Sequence, residues 1–280
     1  MKKSYRELKE ADKIDIINHY YNDIKKSFLE ISNVLNVSER SISRVLKEAN
    51  INTKRKNRYT LDESFFGNID CEEKAYILGL IYADGYVGDE HFNNIVIALN
   101  DRDLLEAVAQ KLKFTGDIRV SKKGGFENSK EGNVLNFSSE IMANDLRILG
   151  LFPNKSLTLN KLPKIAENLY RHFIRGYFDG DGTIVISKKT SYHQVAGVKK
   201  KYEYPSLRFG LLGVKEFLES IANIASLELY SIRNTKCEQI KELSVSSKKE
   251  LKHIYDFLYN DSKIFLKRKY DKWLKVLECL

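Results

Sequence analysis

The chain has 280 residues, 42% hydrophobic and 30% charged, a balance that suits a folded globular protein and excludes a disordered one. No run approaches the roughly 18 consecutive apolar residues of a membrane span, and the opening MKKSYRELKEADK lacks a secretory apolar core, so no membrane role and an intracellular location are expected. The net charge of +9 makes a polyanion a candidate partner, because each phosphate contact releases condensed counterions.

Residues 1–51 contain neither Gly nor Pro and read as a small all-helical domain. Within it, FLEISNVLNVSERSISRVLKEANI (28–51) has the spacing of a helix-turn-helix. Ile31, Val34 and Leu35 are expected on the inner face of the first helix, Asn36-Val37 at the turn and Ser38 as the N-cap of the second. Asn36 suits the turn because its side chain tolerates a left-handed backbone. Ile42, Val45 and Leu46 would pack back, leaving Glu39, Arg40, Ser41, Ser43 and Arg44 outward, where a helix can enter a major groove. Residues 52–68 follow as a basic linker, whose Lys54, Arg55, Lys56 and Arg58 are candidate phosphate or minor-groove contacts. A helical bundle for protein contacts is the alternative reading of this region.

From 69 onward the chain repeats, with one copy over 69–165 and a second over 166–280. CEEKAYILGLIYADGYV (71–87) and NLYRHFIRGYFDGDGTI (168–184) are both apolar helices ending in Asp-Gly. Each is followed by a possible hairpin, an amphipathic helix (101–114 and 214–226), a pair of β-type segments and a second helix (140–151 and 248–260). Two copies of helix-β-β-helix-β-β-helix make an α/β (α+β) arrangement with internal pseudo-symmetry. The second hairpin region, roughly 185–210, is longer than the first. Cys71, Cys237 and Cys279 are far apart and form no CxxC spacing, so no disulfide framework or zinc site is expected.

Two features recur in ILGLIYADG (77–85) and IRGYFDGDG (174–182). Gly79 with Ala83, and Gly176 with Gly180, put small residues four apart on one helical face, so two helices can approach closely. Asp84 and Asp181 each precede a glycine, which is expected to supply a left-handed turn at the helix end. Packing the small faces together brings both carboxylates side by side at negative helix ends, an unfavourable arrangement that a divalent cation relieves. An all-oxygen site suits Mg²⁺ or Mn²⁺, and such metals activate water and stabilise a leaving oxygen in phosphodiester cleavage. Ser139 and Lys248 stand where the last strand of each copy meets its next helix, and Lys248 is the candidate basic residue beside the acids.

Both nine-residue stretches resemble the LAGLIDADG motif of homing endonucleases. The resemblance covers about 75–280, including LGLFPNKS (149–156) and FLKRKYDKWL (265–274). It implies a monomer whose two repeats present saddle-shaped antiparallel sheets to the major groove of a long, nearly asymmetric DNA site. It also implies double-strand cleavage with short 3′ overhangs, and Asp84 and Asp181 as metal-binding catalytic acids. The sixth motif position departs, being Tyr82 in one copy and Asp179 in the other. It is not the metal ligand of the family, so the change is read as harmless. Two other roles use the same parts: a non-catalytic DNA-binding regulator, and an intron RNA maturase, for which RNA would be the partner.

Overall fold

The computed structural model describes residues 2–22, 27–51, 59–121, 131–153, 155 and 159–280. The chain divides into a unit of Met1–Thr60 and a unit of Leu61–Leu280. No helix among the described residues is long and apolar enough to cross a membrane.

Among its described residues the first unit holds three α-helices, α1 (Glu10–Asn22), α2 (Phe28–Leu35) and α3 (Glu39–Glu48). Ser27 and Glu30 form a reciprocal cap at the start of α2, and the Ser38 hydroxyl accepts from the Ser41 amide at the start of α3, which satisfies amides left open by helical geometry. Asn36 ends α2 in the left-handed conformation (φ 52°, ψ 40°), and this sharp turn lets Ile31, Val37, Ile42, Val45 and Leu46 close with Ile16 on one core. Two expectations fail, one for the inner face and one for the outer. Val34 is 59% exposed and Val37 takes the buried position instead. Ser41 is only 2% exposed and its hydroxyl pairs with that of Ser38, so it does not face outward. The expected linker contacts Lys54, Arg55, Lys56 and Arg58 lie outside the described residues.

The second unit contains the two repeats, each with a four-stranded antiparallel sheet. The first runs α4 (Glu72–Asp84), β1 (Gly85–Val87), β2 (Asn94–Leu99), α5 (Arg102–Lys111), β3 (Arg119–Ser121), β4 (Gly132–Ser138) and α6 (Glu140–Ile148), with strand order β1-β2-β4-β3. The second runs α7 (Tyr170–Asp181), β5 (Gly182–Val195), β6 (Val198–Gly213), α8 (Lys215–Ile224), β7 (Ser231–Asn234), β8 (Lys241–Val245) and α9 (Lys248–Tyr259), with the matching order β5-β6-β8-β7. Strand alternation puts Ile95, Ile97, Leu135 and Phe137 on the buried face of the first sheet, and Ile184, Leu207, Phe209 and Leu243 on that of the second. The other face of each sheet stays open. An added helix, α10 (Lys267–Leu277), closes the chain and buries Trp273 against Phe178 and Phe209.

The helices α4 and α7 form the spine of this unit. Every residue of α4 from Ala75 to Tyr82 is buried, as is every residue of α7 from Phe173 to Asp179, because each helix has a partner helix on one side and a sheet or helix on the others. A buried arginine locks the pair to the C-terminal segment. Arg175 donates to Glu72 (2.6 Å), to the Leu258 and Ile264 carbonyls (2.7 and 2.9 Å) and meets His172 Nδ1 (2.9 Å). Burial of that charge is tolerable because its donors are partnered.

Candidate active site

The small residues on α4 and α7 do what their spacing requires. A Cβ placed on Gly79 would stand 2.0 Å from the Phe173 carbonyl oxygen, and one on Gly176 would stand 2.0 Å from that of Tyr76. The backbones therefore touch, and no larger residue fits at either position. One turn on, a Cβ on Gly180 would stand 2.3 Å from the Ala83 Cβ and 3.0 Å from an Asp84 carboxylate oxygen. Ala83 and Gly180 are thus a matched pair, with the single methyl supplied by one repeat.

This contact carries Asp84 and Asp181, the last residues of α4 and α7, to the same end of the helix pair. The next glycine does not turn left-handed as expected. Gly85 (φ −86°, ψ 160°) and Gly182 (φ −85°, ψ 157°) are extended, and each helix passes straight into a strand. Glycine is needed there for space, since an added Cβ would lie 2.6 Å from Ile81 atoms at Gly85 and 2.1 Å from the Phe178 ring at Gly182.

Burial raises the Asp84 carboxyl above the usual carboxylate range, against the pull of Lys269, Lys155 and Arg268. Asp181 is pushed up to about 6, first by burial and then by the charge of Asp84, with Lys155 and Lys269 opposing. Two carboxylates thus share one partly buried corner and resist being charged together.

Two lysines stand beside them, one from each repeat. Lys155, 8% exposed, donates to the carbonyls of Tyr82 and Ala83, both at 2.8 Å. Lys269, 7% exposed, donates to the carbonyls of Phe178 (2.6 Å), Gly180 (3.2 Å) and Gly182 (2.6 Å). Each ammonium lies against carbonyls at the end of its helix, where the helix dipole favours a cation. Burial pushes both lysines down, Lys269 to about 8.

The sixth motif position holds these lysines in place. The Tyr82 hydroxyl donates to the Leu149 carbonyl, in the segment that leads to Lys155. The Asp179 carboxylate, 1% exposed, accepts from the Leu266 amide (2.7 Å) and the Tyr76 hydroxyl (2.7 Å), fixing the residue before α10 and hence Lys269. The departure at this position is therefore a change of chemistry with a retained anchoring task.

The basic residue expected beside the acids is not brought there. Lys248 is exposed and donates to the Cys279 and Leu280 carbonyls, and the lysines that act on both carboxylates are Lys155 and Lys269. Ser139 is the N-cap of α6, its hydroxyl accepting from the Met142 amide. Lys155 and Lys269 lie inside LGLFPNKS and FLKRKYDKWL, but nothing local singles them out in a chain with 47 lysines and arginines. Their common signal is position, since each follows the last β-β-helix of its repeat.

In the first unit, Arg40, Ser43 and Arg44 are exposed on α3. Arg44 pairs with Glu48 (3.0 Å) and lies over the Tyr5 ring (4.1 Å).

Residues 174–277 match the family model described as LAGLIDADG endonuclease. The chain is 23% identical over 273 residues to a probable intron-encoded endonuclease of Debaryomyces hansenii, covering 88% of this chain and 39% of that protein. It is 25% identical over 158 residues to an uncharacterized protein of Methanocaldococcus jannaschii, covering 54% of this chain and 57% of the other. The chain thus spans about half the length of the curated relatives it matches. Among solved structures, the I-LtrWI LAGLIDADG homing endonuclease bound to target DNA superposes with a TM-score of 0.52 at 16% identity, over 78% of this chain and 91% of that one. The LAGLIDADG meganuclease I-CpaMI bound to uncleaved DNA gives a TM-score of 0.50 at 12% identity, over 75% and 92%. At these identities the likeness concerns the fold, and it encompasses both repeats.

Proposed function

We propose that this chain, which belongs to the LAGLIDADG family through its second repeat and its fold, is a homing endonuclease that hydrolyses both strands of duplex DNA at one long asymmetric site, leaving short 3′ overhangs. The observation that carries the proposal is the meeting of Asp84 and Asp181 at one end of a glycine-tight helix pair, one acid from each repeat. One chain supplies both acids, so it acts as a monomer, one acid serving each strand.

The donor set fits a hard divalent cation. The two carboxylates offer oxygen only and repel each other, and among the described residues no third His, Cys, Asp or Glu joins them in a cluster. Mg²⁺ characteristically takes one or two carboxylates and fills its remaining positions with water and substrate phosphate, and Mn²⁺ accepts the same ligands. Asp84 and Asp181 would hold such an ion, which when bound lowers the pKa of water and stabilises charge on the leaving oxygen.

The chain's own residues do the rest. Lys155 and Lys269 keep the ends of α4 and α7 fixed and place positive charge beside the scissile phosphates. Tyr82 and Asp179 position those lysines. The open faces of the two sheets lie in the major groove. Arg40, Ser43 and Arg44 of α3 read a second stretch of duplex in the manner of a helix-turn-helix, with the linker lysines and arginines along the phosphates.

The test compares the unaltered chain with Asp84→Asn and Asp181→Asn on a plasmid carrying the uninterrupted form of its own insertion locus, with and without Mg²⁺. Linear product from the unaltered chain alone, with DNA affinity kept in both variants, is expected. Full cleavage by both variants sinks the assignment of the acids. Retarded but uncut DNA under every condition points to a regulator, and rescue of intron splicing without DNA binding to a maturase.

A further inference from the structure

The two corners of the active site match in their lysines but not in what stands next to them. The residue before Lys155 is Asn154, whereas the residue before Lys269 is Arg268. Arg268 lies in the first turn of α10, with its side chain 57% exposed. Its Nε donates to both carboxylate oxygens of Asp101, at 3.1 and 2.9 Å. Asp101 belongs to the first repeat and Arg268 to the second, so the bridge crosses the boundary between them.

The position of the acid explains why only one corner has this pair. Asp101 is the N-cap residue of α5, yet its side chain caps no amide of that helix, which leaves the carboxylate to the arginine. The N-cap residue of α8, at the same point of the second repeat, is Val214, which has no charge to offer. Strand pairing says which corner is served. The strand β1 opens at Gly85, directly after Asp84, and pairs there with Ile97 of β2. Asp101 is four residues beyond Ile97. The end of β2 therefore runs alongside the end of α4, and the bridge stands on the side of Asp84. The pull of Arg268 on the Asp84 carboxyl agrees with that placement.

An exposed arginine–carboxylate pair stabilises a fold little, so tying the repeats together accounts poorly for it. What the pair does achieve is to hold a guanidinium at the acids' end of the helix pair through one of its five N–H donors. The fork that remains suits phosphate. In phosphodiester hydrolysis water adds to phosphorus, one ester P–O bond breaks and the leaving oxygen takes a proton. Charge builds on the oxygens of the attacked phosphate, and a cation fixed beside them lowers that barrier. Arginine keeps its proton throughout, so it supplies charge and takes no part in the proton balance.

Resting on the endonuclease reading, we propose that Arg268 is a catalytic residue for one strand only. Held by Asp101 across the boundary between the repeats, it contacts the scissile phosphate on the side of Asp84 and stabilises the charge that builds there. The phosphate on the side of Asp181 is cut without an equivalent arginine.

The experiment follows each strand separately. A duplex carrying the uninterrupted insertion locus, labelled on one strand or the other, is cut with Mg²⁺ at saturating protein by the unaltered chain, Arg268→Gln, Arg268→Lys and Asp101→Asn. Arg268→Gln should slow one strand by about 10²-fold, the scale of a single transition-state donor, and leave the other near its original rate. Supercoiled plasmid should then stop at the nicked circle. Arg268→Lys should recover part of the loss, since it keeps the charge without the fork, and Asp101→Asn should still cut both strands. If Arg268→Gln and Asp101→Asn slow both strands alike and lower the melting temperature together, the bridge is only a tie between the repeats and the proposal falls. Unchanged rates on both strands in Arg268→Gln also overturn it, while the endonuclease reading stands. An unaltered chain that cuts neither strand sinks both readings.

Discussion

His172 shows how much one side chain can depend on its neighbours. Its Nδ1 lies 2.9 Å from an Arg175 guanidinium nitrogen, which can only donate, so the ring must offer a lone pair and stay neutral. Burial, aided by the Arg175 charge, pushes its pKa down to about 4 from 6.5. The sign follows from proton binding: between pH 6.5 and 4 the unfolded chain binds the proton that the folded chain refuses. The stability His172 contributes is thus complete above about pH 6.5 and is lost as pH falls towards 4, the loss reaching about 2 kcal/mol at pH 5. Asp179 and Asp181, both raised to about 6, bias the same window the other way, so the difference between proteins is the useful quantity. His172→Asn should lose less melting temperature between pH 7.5 and pH 5 than the unaltered chain, and identical losses would mean that His172 is charged in the fold. None of this is legible in NLYRHFIRGY, where His172 is one polar residue on an apolar helix. The small residues Gly79, Ala83, Gly176 and Gly180 are legible in ILGLIYADG and IRGYFDGDG, because close approach demands a spacing rather than a partner.

At the level of elements, legibility depends on whether an element's own residues determine it. The helices α4 and α7 carry recurring small residues and Asp-Gly, and their pairing follows from that alone. The helix α10 is hidden, since KRKYDKWLKVL buries Lys269 beside Trp273, and a charged residue facing inward breaks the apolar stripe that announces a helix. The length of the second hairpin shows only as a longer region, because KKTSYHQV and KKKYEYP have no apolar face to alternate. The strand β7 starts only at Ser231, its register being set by β8. The packing of α4 on α7 makes a sharper forecast than any strand. Gly180→Ala puts two methyls 2.3 Å apart, an overpacking that typically costs about 1–3 kcal/mol, the same range being expected here. Adding Ala83→Gly removes the methyl that it strikes. The double variant should recover most of the loss, a coupling of about 1 kcal/mol or more. Denaturant melts of the four proteins in the cycle decide it, and strict additivity would place the contact elsewhere.

For the whole molecule, the proposed economy is two DNA-contacting parts on one chain. The absence of Gly and Pro before residue 52 and the repeat after 69 suggest this division, and the first unit has the core, the caps and the left-handed Asn36 that such a turn needs. Pattern alone misplaces Val34 and Ser41, because a short helix exposes or buries a residue according to which neighbours close over it. Joining two modest binders makes the second engagement intramolecular, and the gain reaches about 10² to 10⁴ in affinity without any new contact. Residues 61–280 form a compact unit without the first, so removing residues 1–60 should leave the Asp84–Asp181 corner intact. On a duplex carrying the full site, affinity should fall by about 10² or more, and the salt dependence should flatten as the contacts of Arg40, Arg44 and the residues 54–58 disappear. Cleavage at saturating protein should persist, because neither acid nor either lysine has been touched. A truncated chain with the affinity and salt slope of the whole would show that α3 does not read DNA and that the repeats alone hold the target.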